Sequence, residues 1–376
     1  MKKTFVAVAV LGAFAGSAMA ADVTLYGKID LGLQYQHLDN GTTTTDQFKE
    51  TSGQNSGSRF GLKGTEDLGN GMKVGFVLEN GFSADDGKMG QGSRLFGREA
   101  QMYLTSDYGT LGFGRMGGLS SGLGSYNMNS FMAMSTGWGD QASKLGNFGL
   151  NRDRYDNSIV YRTPSFAGFQ VAAQYSFKMN GQEEVHTRAN QRYAALGATY
   201  KNGPFAAGLI VDSIFNTNTA LETNTEDTLG VTLGASYDFE VVKVFGMAQY
   251  GQNENKFGAL KNRGKLNDDG DELLYSDEGV TGYMIQLGMT APVLGGTAYA
   301  TVNYSDAESD LDKTVGTTGS QDFTGYGVAL GYTYNLSKRT YVYTYAGYNE
   351  LKTETEGAAD KKDKNTEFGF GLVHNF

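Results

Sequence analysis

The sequence predicts an all-β protein, a transmembrane antiparallel β-barrel of sixteen strands. Three observations predict it. Many segments alternate apolar residues with small or polar ones at period two. The connections between them alternate between short turns and long polar stretches. The composition is rich in Gly (54 of 376) and in aromatics, with only three Pro and no Cys. Period two gives each strand one apolar face. Gly is about twice its average usage of ~7%, which suits tight turns and closely spaced walls.

The chain starts with a segment that is not read as part of the barrel. Met1-Lys2-Lys3 is cationic, Phe5 to Phe14 is apolar, and Ser17-Ala18-Met19-Ala20 offers a small-x-small site for cleavage after Ala20. Residues 1–20 therefore read as a secretory signal peptide, too short to span a bilayer as a helix. Residues 21–376 form one domain, with no linker visible. Losing Lys2 and Lys3 takes the formal charge from −10 to −12. Such an acidic exported chain repels phosphate, so nucleic acid is not an expected partner. Low Pro and the lack of a Gly period exclude collagen, and abundant aromatics argue against disorder. No window after the signal approaches 18 apolar residues, which excludes a helical membrane protein but not a barrel, whose strands show lipid only every second residue.

The alternation is clearest at 227–239, where Leu229, Val231, Leu233, Ala235, Tyr237 and Phe239 face Thr228, Gly230, Thr232, Gly234, Ser236 and Asp238. At 325–336, Tyr326, Val328, Leu330, Tyr332, Tyr334 and Leu336 oppose Gly and small residues. The pattern recurs at 23–35, 169–177, 282–291 and 297–304. Strands of about ten residues, a small polar second face and aromatics at strand ends favour a membrane barrel over a soluble sandwich. Sixteen strands result: 22–37, 57–67, 72–82, 94–106, 110–116, 152–164, 168–178, 192–201, 204–213, 227–239, 241–251, 279–291, 296–306, 322–336, 339–349 and 366–376. Leu68-Gly69-Asn70-Gly71, Asp107-Tyr108-Gly109, Asn202-Gly203, Glu240 and Ser337-Lys338 are short turns. The long stretches are 38–56, 83–93, 117–151, 179–191, 214–226, 252–278, 307–321 and 350–365. Short turns on one side and long loops on the other put the turns in the periplasm.

Six segments, in order, resemble the Gram-negative general porins, particularly the beta-proteobacterial branch: "VTLYGKIDLGL" at 23–33, "GSRFGLKGTEDLGNGMKVGFVLENGF" at 57–82, "YGTLGFGR" at 108–115, "RYDNSIVYRTPSFAGFQVAAQY" at 154–175, "YNLSKRTYVYTYAGY" at 334–348 and "FGFGLVHNF" at 368–376. The resemblance covers the whole mature length. It implies an outer-membrane, homotrimeric channel for passive diffusion of small hydrophilic solutes and inorganic ions. It also implies a third long loop, 117–151, folded into the pore, and a terminal aromatic, Phe376, as the signal to the barrel-assembly machinery. The chain departs from the family in two places. Its third loop carries little acid beyond Asp140, and Val373 stands where a basic residue is more usual.

Parity sorts the charges. A Lys or Arg on the lipid face costs about 2–4 kcal/mol at mid-membrane, so residues opposite the apolar set belong in the lumen. In 23–35 these are Lys28 and Asp30. In 58–67 they are Arg59 and Lys63, in 72–80 Lys73 and Glu79, and in 154–163 Arg154 and Arg162. Arg98 and Arg115 share the apolar parity, but both lie near strand ends, where a bend or bulge can turn them in. Arg94 and Arg98 have an alternative as rim charges bound to lipopolysaccharide or to a loop carboxylate. The expected pore-lining set is Lys28, Arg59, Lys63, Lys73, Arg115, Asp140, Arg154 and Arg162. A loop of about 35 residues is long for a structureless connection, so 117–151 should pack against something.

Catalysis has little to work with. Three His are scattered, no G-x-S-x-G occurs, and "GFGRMGG" at 112–118 lacks the strand-to-helix context of a dinucleotide site. No cofactor is expected. The acidic stretch "NDDGDE" at 267–272 lacks the spacing of an EF-hand and reads as a solvated loop. A barrel enzyme, an adhesin and a substrate-specific channel remain as other classes. Conductance separates them, since the first two should pass little current and the last should be blocked by its substrate.

Overall fold

The structure is a computed structural model, which describes residues 23–134, 138, 149–150, 152–184, 189–216, 226–254, 279–310 and 320–376. The leader at 1–20 and Asp140 lie outside the described residues. Seventeen strands run in chain order: β1 (Thr24–Asp39), β2 (Thr44–Ser52), β3 (Arg59–Gly69), β4 (Met72–Gly81), β5 (Glu99–Ser106), β6 (Gly109–Gly117), β7 (Arg154–Arg162), β8 (Phe169–Ser176), β9 (Arg192–Asn202), β10 (Phe205–Phe215), β11 (Leu229–Asp238), β12 (Lys243–Glu254), β13 (Val280–Val293), β14 (Gly296–Asp310), β15 (Ser320–Asn335), β16 (Thr340–Thr355) and β17 (Lys361–Asn375). Each pairs antiparallel with its sequence neighbour from β3 onward, and β17 returns to β1, with Lys28 opposite Asn375 and Asp39 opposite Lys364. Closure leaves no sheet edge along that seam. The last residue completes it: Gly27 N donates to the Phe376 carbonyl at 3.0 Å and Phe376 N to the Gly27 carbonyl at 3.1 Å.

The alternation puts the apolar set on the outside. Leu209, Leu233, Leu287, Leu330 and Leu372 are all exposed, which makes sense only if lipid covers them. The turns are short on one side. Leu294-Gly295 joins β13 to β14 with both residues at positive φ (49° and 79°), the backbone of a two-residue type I′ hairpin.

Two features differ from the sequence expectation. The stretch 38–56 lacks an apolar alternation and reads as a loop, yet 44–52 is a strand, β2. It pairs with the upper half of β1 (Leu31 opposite Ser52), while β3 pairs with the lower half (Lys28 opposite Arg59). The two share one place in the barrel order, so the closed barrel has sixteen strands and one extra. The sheet also climbs further than a bilayer requires. β14 extends to Asp310, β15 starts at Ser320, β16 runs to Thr355 and β17 begins at Lys361, so 307–310, 320–321 and most of 350–365 are ladder. Polar alternation carries no lipid face, so period two with an apolar half could not mark these extensions.

Candidate functional site

The space inside the barrel is filled unevenly, and the segment after β6 decides how. After Gly117, the last residue of β6, the chain leaves the wall and packs along the inner face of successive strands. Tyr126 lies on Gly112, Met128 on Gly197, Phe131 on Gly208 and Gly234, Ala133 on Gly288, and Trp138 on Gly331. A Cβ at any of these glycines would overlap the segment's side chain, so the close approach requires Gly there. Trp138 meets Tyr299 (4.8 Å between ring centroids) and Tyr343 (6.4 Å). Gly149 and Leu150 return along Gln249 and Met284. The inner faces of β9 to β16 are thus covered by apolar packing from this segment.

Its two ends are tied to the same wall. Ser120 Oγ donates to Asp212 Oδ2 at 2.5 Å, and Arg152 donates to Asp212 Oδ1 at 2.6 Å and to both Glu254 carboxylate oxygens at 2.7 and 2.8 Å. Arg152, Asp212 and Glu254 are fully buried. Asp212 on β10 therefore holds both ends of the segment. Removing one partner of such a buried set costs about 3–5 kcal/mol. On the side facing β5, Ser125 donates from its N–H and its hydroxyl to Glu99, both at 2.8 Å.

The remaining wall, β1 to β7, carries the charge. Lys28 and Arg59 stand opposite each other across the β1–β3 ladder, and both donate to Ser56 Oγ, at 3.2 and 2.6 Å. Arg98 Nε donates to Glu79 Oε1 at 2.6 Å, with Arg59 NH1 at 3.9 Å from the same oxygen. Arg94 and Arg115 share Asp156, at 2.7 Å each. Arg154 is buried, 3.5 Å from Asp153. Arg162 donates to the Ser125 carbonyl at 3.1 Å and lies 5.1 Å from the Tyr126 ring centre. Lys63 lies over Tyr26 at 5.2 Å, and Lys73 is exposed at the lower end of β4. Arg59 and Arg98 lie near enough for their charge to bear on Lys28, and Arg98 and Arg115 for theirs to bear on Arg154.

Arg115 reaches the interior by a register shift between Gly114 and Met116, with Gly114 at φ +123°. Asp30 faces in but is fully enclosed, accepting from Tyr343 Oη at 2.7 Å and from the N–H groups of Asn55 and Ser56. Glu99, Asp156 and Asp212 are absent from the expected pore-lining set, and Glu254 is expected among the acids of the outer stretch 252–278, whereas the structure buries it at the end of β12 beside Arg152. Parity could have found Asp156, which follows Arg154 on the inner face, and Asp212, which follows outward Leu209 and Val211. In the outer connections, hydrogen bonds from Lys88 to Asp86 and from Lys178 to Glu184 hold both carboxyls below their usual range, so these acids are locally neutralised.

A family model described as Gram-negative porin matches residues 7–355. The chain belongs to that family. Over their whole lengths it is 34% identical to an outer membrane porin protein of Bordetella pertussis. It is 33% identical to outer membrane porin protein 32 of Delftia acidovorans, across 91% of this chain and 88% of that one. The solved structure of an anion-selective porin from Comamonas acidovorans superposes with a TM-score of 0.68 at 26% identity, covering 95% of this chain and all of that chain. The barrel, its lipid-exposed apolar surface and these relatives make the protein an outer-membrane porin, a channel for passive diffusion. Family and fold point to a channel rather than an enzyme.

Proposed function

We propose that this porin passes small hydrophilic solutes and inorganic ions with a mild anion preference, through an eyelet between segment 117–151 and the basic wall of β1–β7. The observation that carries the reading is the one-sided charge. Lys28, Arg59, Lys63, Lys73, Arg115, Arg154 and Arg162 stand on the open side. Asp30 is sealed off, and Glu79 and Asp156 are each shared between two arginines. Charges at a narrow, low-dielectric wall govern permeation more than charges at a wide mouth. The Comamonas porin is anion-selective, which supports the same sign here. The test is the zero-current potential of reconstituted channels across a KCl gradient. A potential of anion sign supports the reading, and strong cation selectivity defeats it.

The working unit in this proposal is a homotrimer in outer-membrane lipid and lipopolysaccharide, delivered after cleavage at Ala20. The barrel-assembly machinery recognises Phe376, whose backbone pairs with Gly27. No cofactor takes part and no reaction is catalysed. Trimers should survive mild detergent and dissociate on heating, and the mature N-terminus should read Ala21-Asp22-Val23. Deleting Phe376 or charging Leu372 should lower the folded yield. Normal trimer yield from both changes would remove the assembly role.

A further inference from the structure

The ladder on β1 contains a surplus with a consequence for the pore. β2 ends with Ser52 opposite Leu31, and β3 begins with Arg59 opposite Lys28. Only Ile29 and Asp30 lie between those positions on β1, while six residues, 53–58, lie between them on the other side. The extra residues must leave the wall. They leave on the lumen side, because Asp30 is on that face and gathers them. Its carbonyl accepts from Gly53 N at 3.0 Å, and its N–H donates to Ser58 Oγ at 3.0 Å. Its carboxylate accepts from Asn55 N at 2.8 Å and Ser56 N at 2.6 Å. Tyr343 and Tyr341, on the inner face of β16, close the other side by donating to Asp30 and to Asn55 Oδ1, both at 2.7 Å. The Gln54 carbonyl accepts the N–H of Trp138. The excursion therefore touches the inward segment beside Tyr343, on which Trp138 also packs.

We propose that residues 53–58 are a second pore-narrowing element, latched by Asp30, whose Ser56 hydroxyl sets the position of Lys28 and Arg59 and so tunes ion preference. This rests on the porin reading above and adds a specificity-determining position to it. Like charges directly opposite in a ladder destabilise it, and Lys28 and Arg59 are such a pair. Ser56 Oγ accepts from both, so one small acceptor holds two repelling cations side by side. The hydroxyl is delivered there by charge-assisted bonds from the neighbouring N–H groups to Asp30, roughly twice as strong as neutral ones. A carboxylate that parity places in the lumen thus acts as a latch and gives the passing ion no negative charge.

The test is single-channel recording of full-length trimers carrying Asp30→Asn, Tyr343→Phe or Ser56→Ala. Asp30→Asn should release the excursion and raise conductance in concentrated KCl by about 1.3-fold, with a smaller rise for Tyr343→Phe. Ser56→Ala should keep conductance within about 10% of the parent and move the zero-current potential toward cations, because the freed Lys28 and Arg59 draw apart. If Asp30→Asn yields no folded trimer, the other two variants still decide. Parent-like conductance in Tyr343→Phe together with a parent-like potential in Ser56→Ala overturns the proposal. A parent protein that opens no channels at all defeats the porin reading instead, so the two failures are told apart.

Discussion

The inner faces of β1–β7 and of β9–β16 are built from the same alternating strands, yet they differ in what they can bear. The first carries Lys28, Arg59, Lys63, Lys73, Glu79, Arg98, Glu99, Arg154 and Arg162. The second, at mid-height, carries Gly208, Gly234, Gln286, Gly288, Thr301, Asn303 and Gly331, and its two acids, Asp212 and Glu254, are consumed by Arg152. The difference follows from what covers each wall. An apolar segment lies on the second, so any unpaired charge there would be desolvated at a cost of several kcal/mol. The first is less covered by that segment and keeps its charge. One-sided charge and one-sided loop packing are therefore one design seen twice.

The largest effect on this contrast should come from uncovering the neutral wall. Removing about Ser125 to Gly146 takes away Phe131, Ala133 and Trp138, the side chains that rest on the glycine track. Conductance should rise about two-fold, and bulkier solutes should pass in liposome swelling. Unchanged conductance would place the segment outside the permeation path. A smaller displacement should follow from Gly234→Val, since Phe131 already fills the space a side chain needs there, and from Asp212→Asn. The latter loosens Ser120 and Arg152 together and should destabilise the folded barrel by up to about 3–5 kcal/mol, measured as a lower temperature of heat modification on gels. If Asp212→Asn matches the parent in both stability and conductance, the two ends are held by something other than this carboxylate.

Much of this contrast is legible in the sequence, and the rest is not for definable reasons. All sixteen barrel strands follow from period two, because lipid on one face and water on the other write that period directly. The inward positions of Arg59 and Asp212 follow from the same parity. Arg115 does not, because the bulge at Gly114 flips parity within one residue. β2 does not, since above the bilayer its residues Thr44 to Ser52 have no need of an apolar face. The glycine track is present in the sequence as Gly208, Gly234, Gly288 and Gly331. Each glycine looks like any small lumen residue until Phe131 or Trp138 is seen to rest on it. The carboxylates that tie the inward segment are hardest to read, because their partners lie up to 102 residues away, as Arg152 and Glu254 do.

A finer effect should come from the charged wall itself. Replacing Arg59 and Arg154 with Ser leaves the segment and its packing in place but removes two of the cations nearest Glu79 and Glu99. The zero-current potential should move toward cations with little change in conductance. The matching change on the other side, Gln286→Glu, should not alter the potential as much, because Gln286 is buried. Equal shifts from both walls would mean that ions pass on both sides of the segment.

The smallest expected effect is the salt dependence of the preference, and it separates wall charge from loop charge. The chain is acidic overall at −10, and mouth charge of that sign would favour cations. Among the described connections, Asp85, Asp86, Glu183, Glu184 and Asp227 are open to water, where a Debye length of about 8 Å at physiological ionic strength screens them. The arginines of β3–β7 are half-buried or buried, so salt reaches them less, but at high concentration the bulk ion supply also exceeds what the wall attracts. Anion preference should therefore be mild at low salt and fade smoothly as salt rises, without changing sign. If the preference instead turned from cation to anion as salt increased, the acidic loops would be setting it at low salt and the wall only after they were screened. That outcome would move the selectivity determinant from β1–β7 to the mouth.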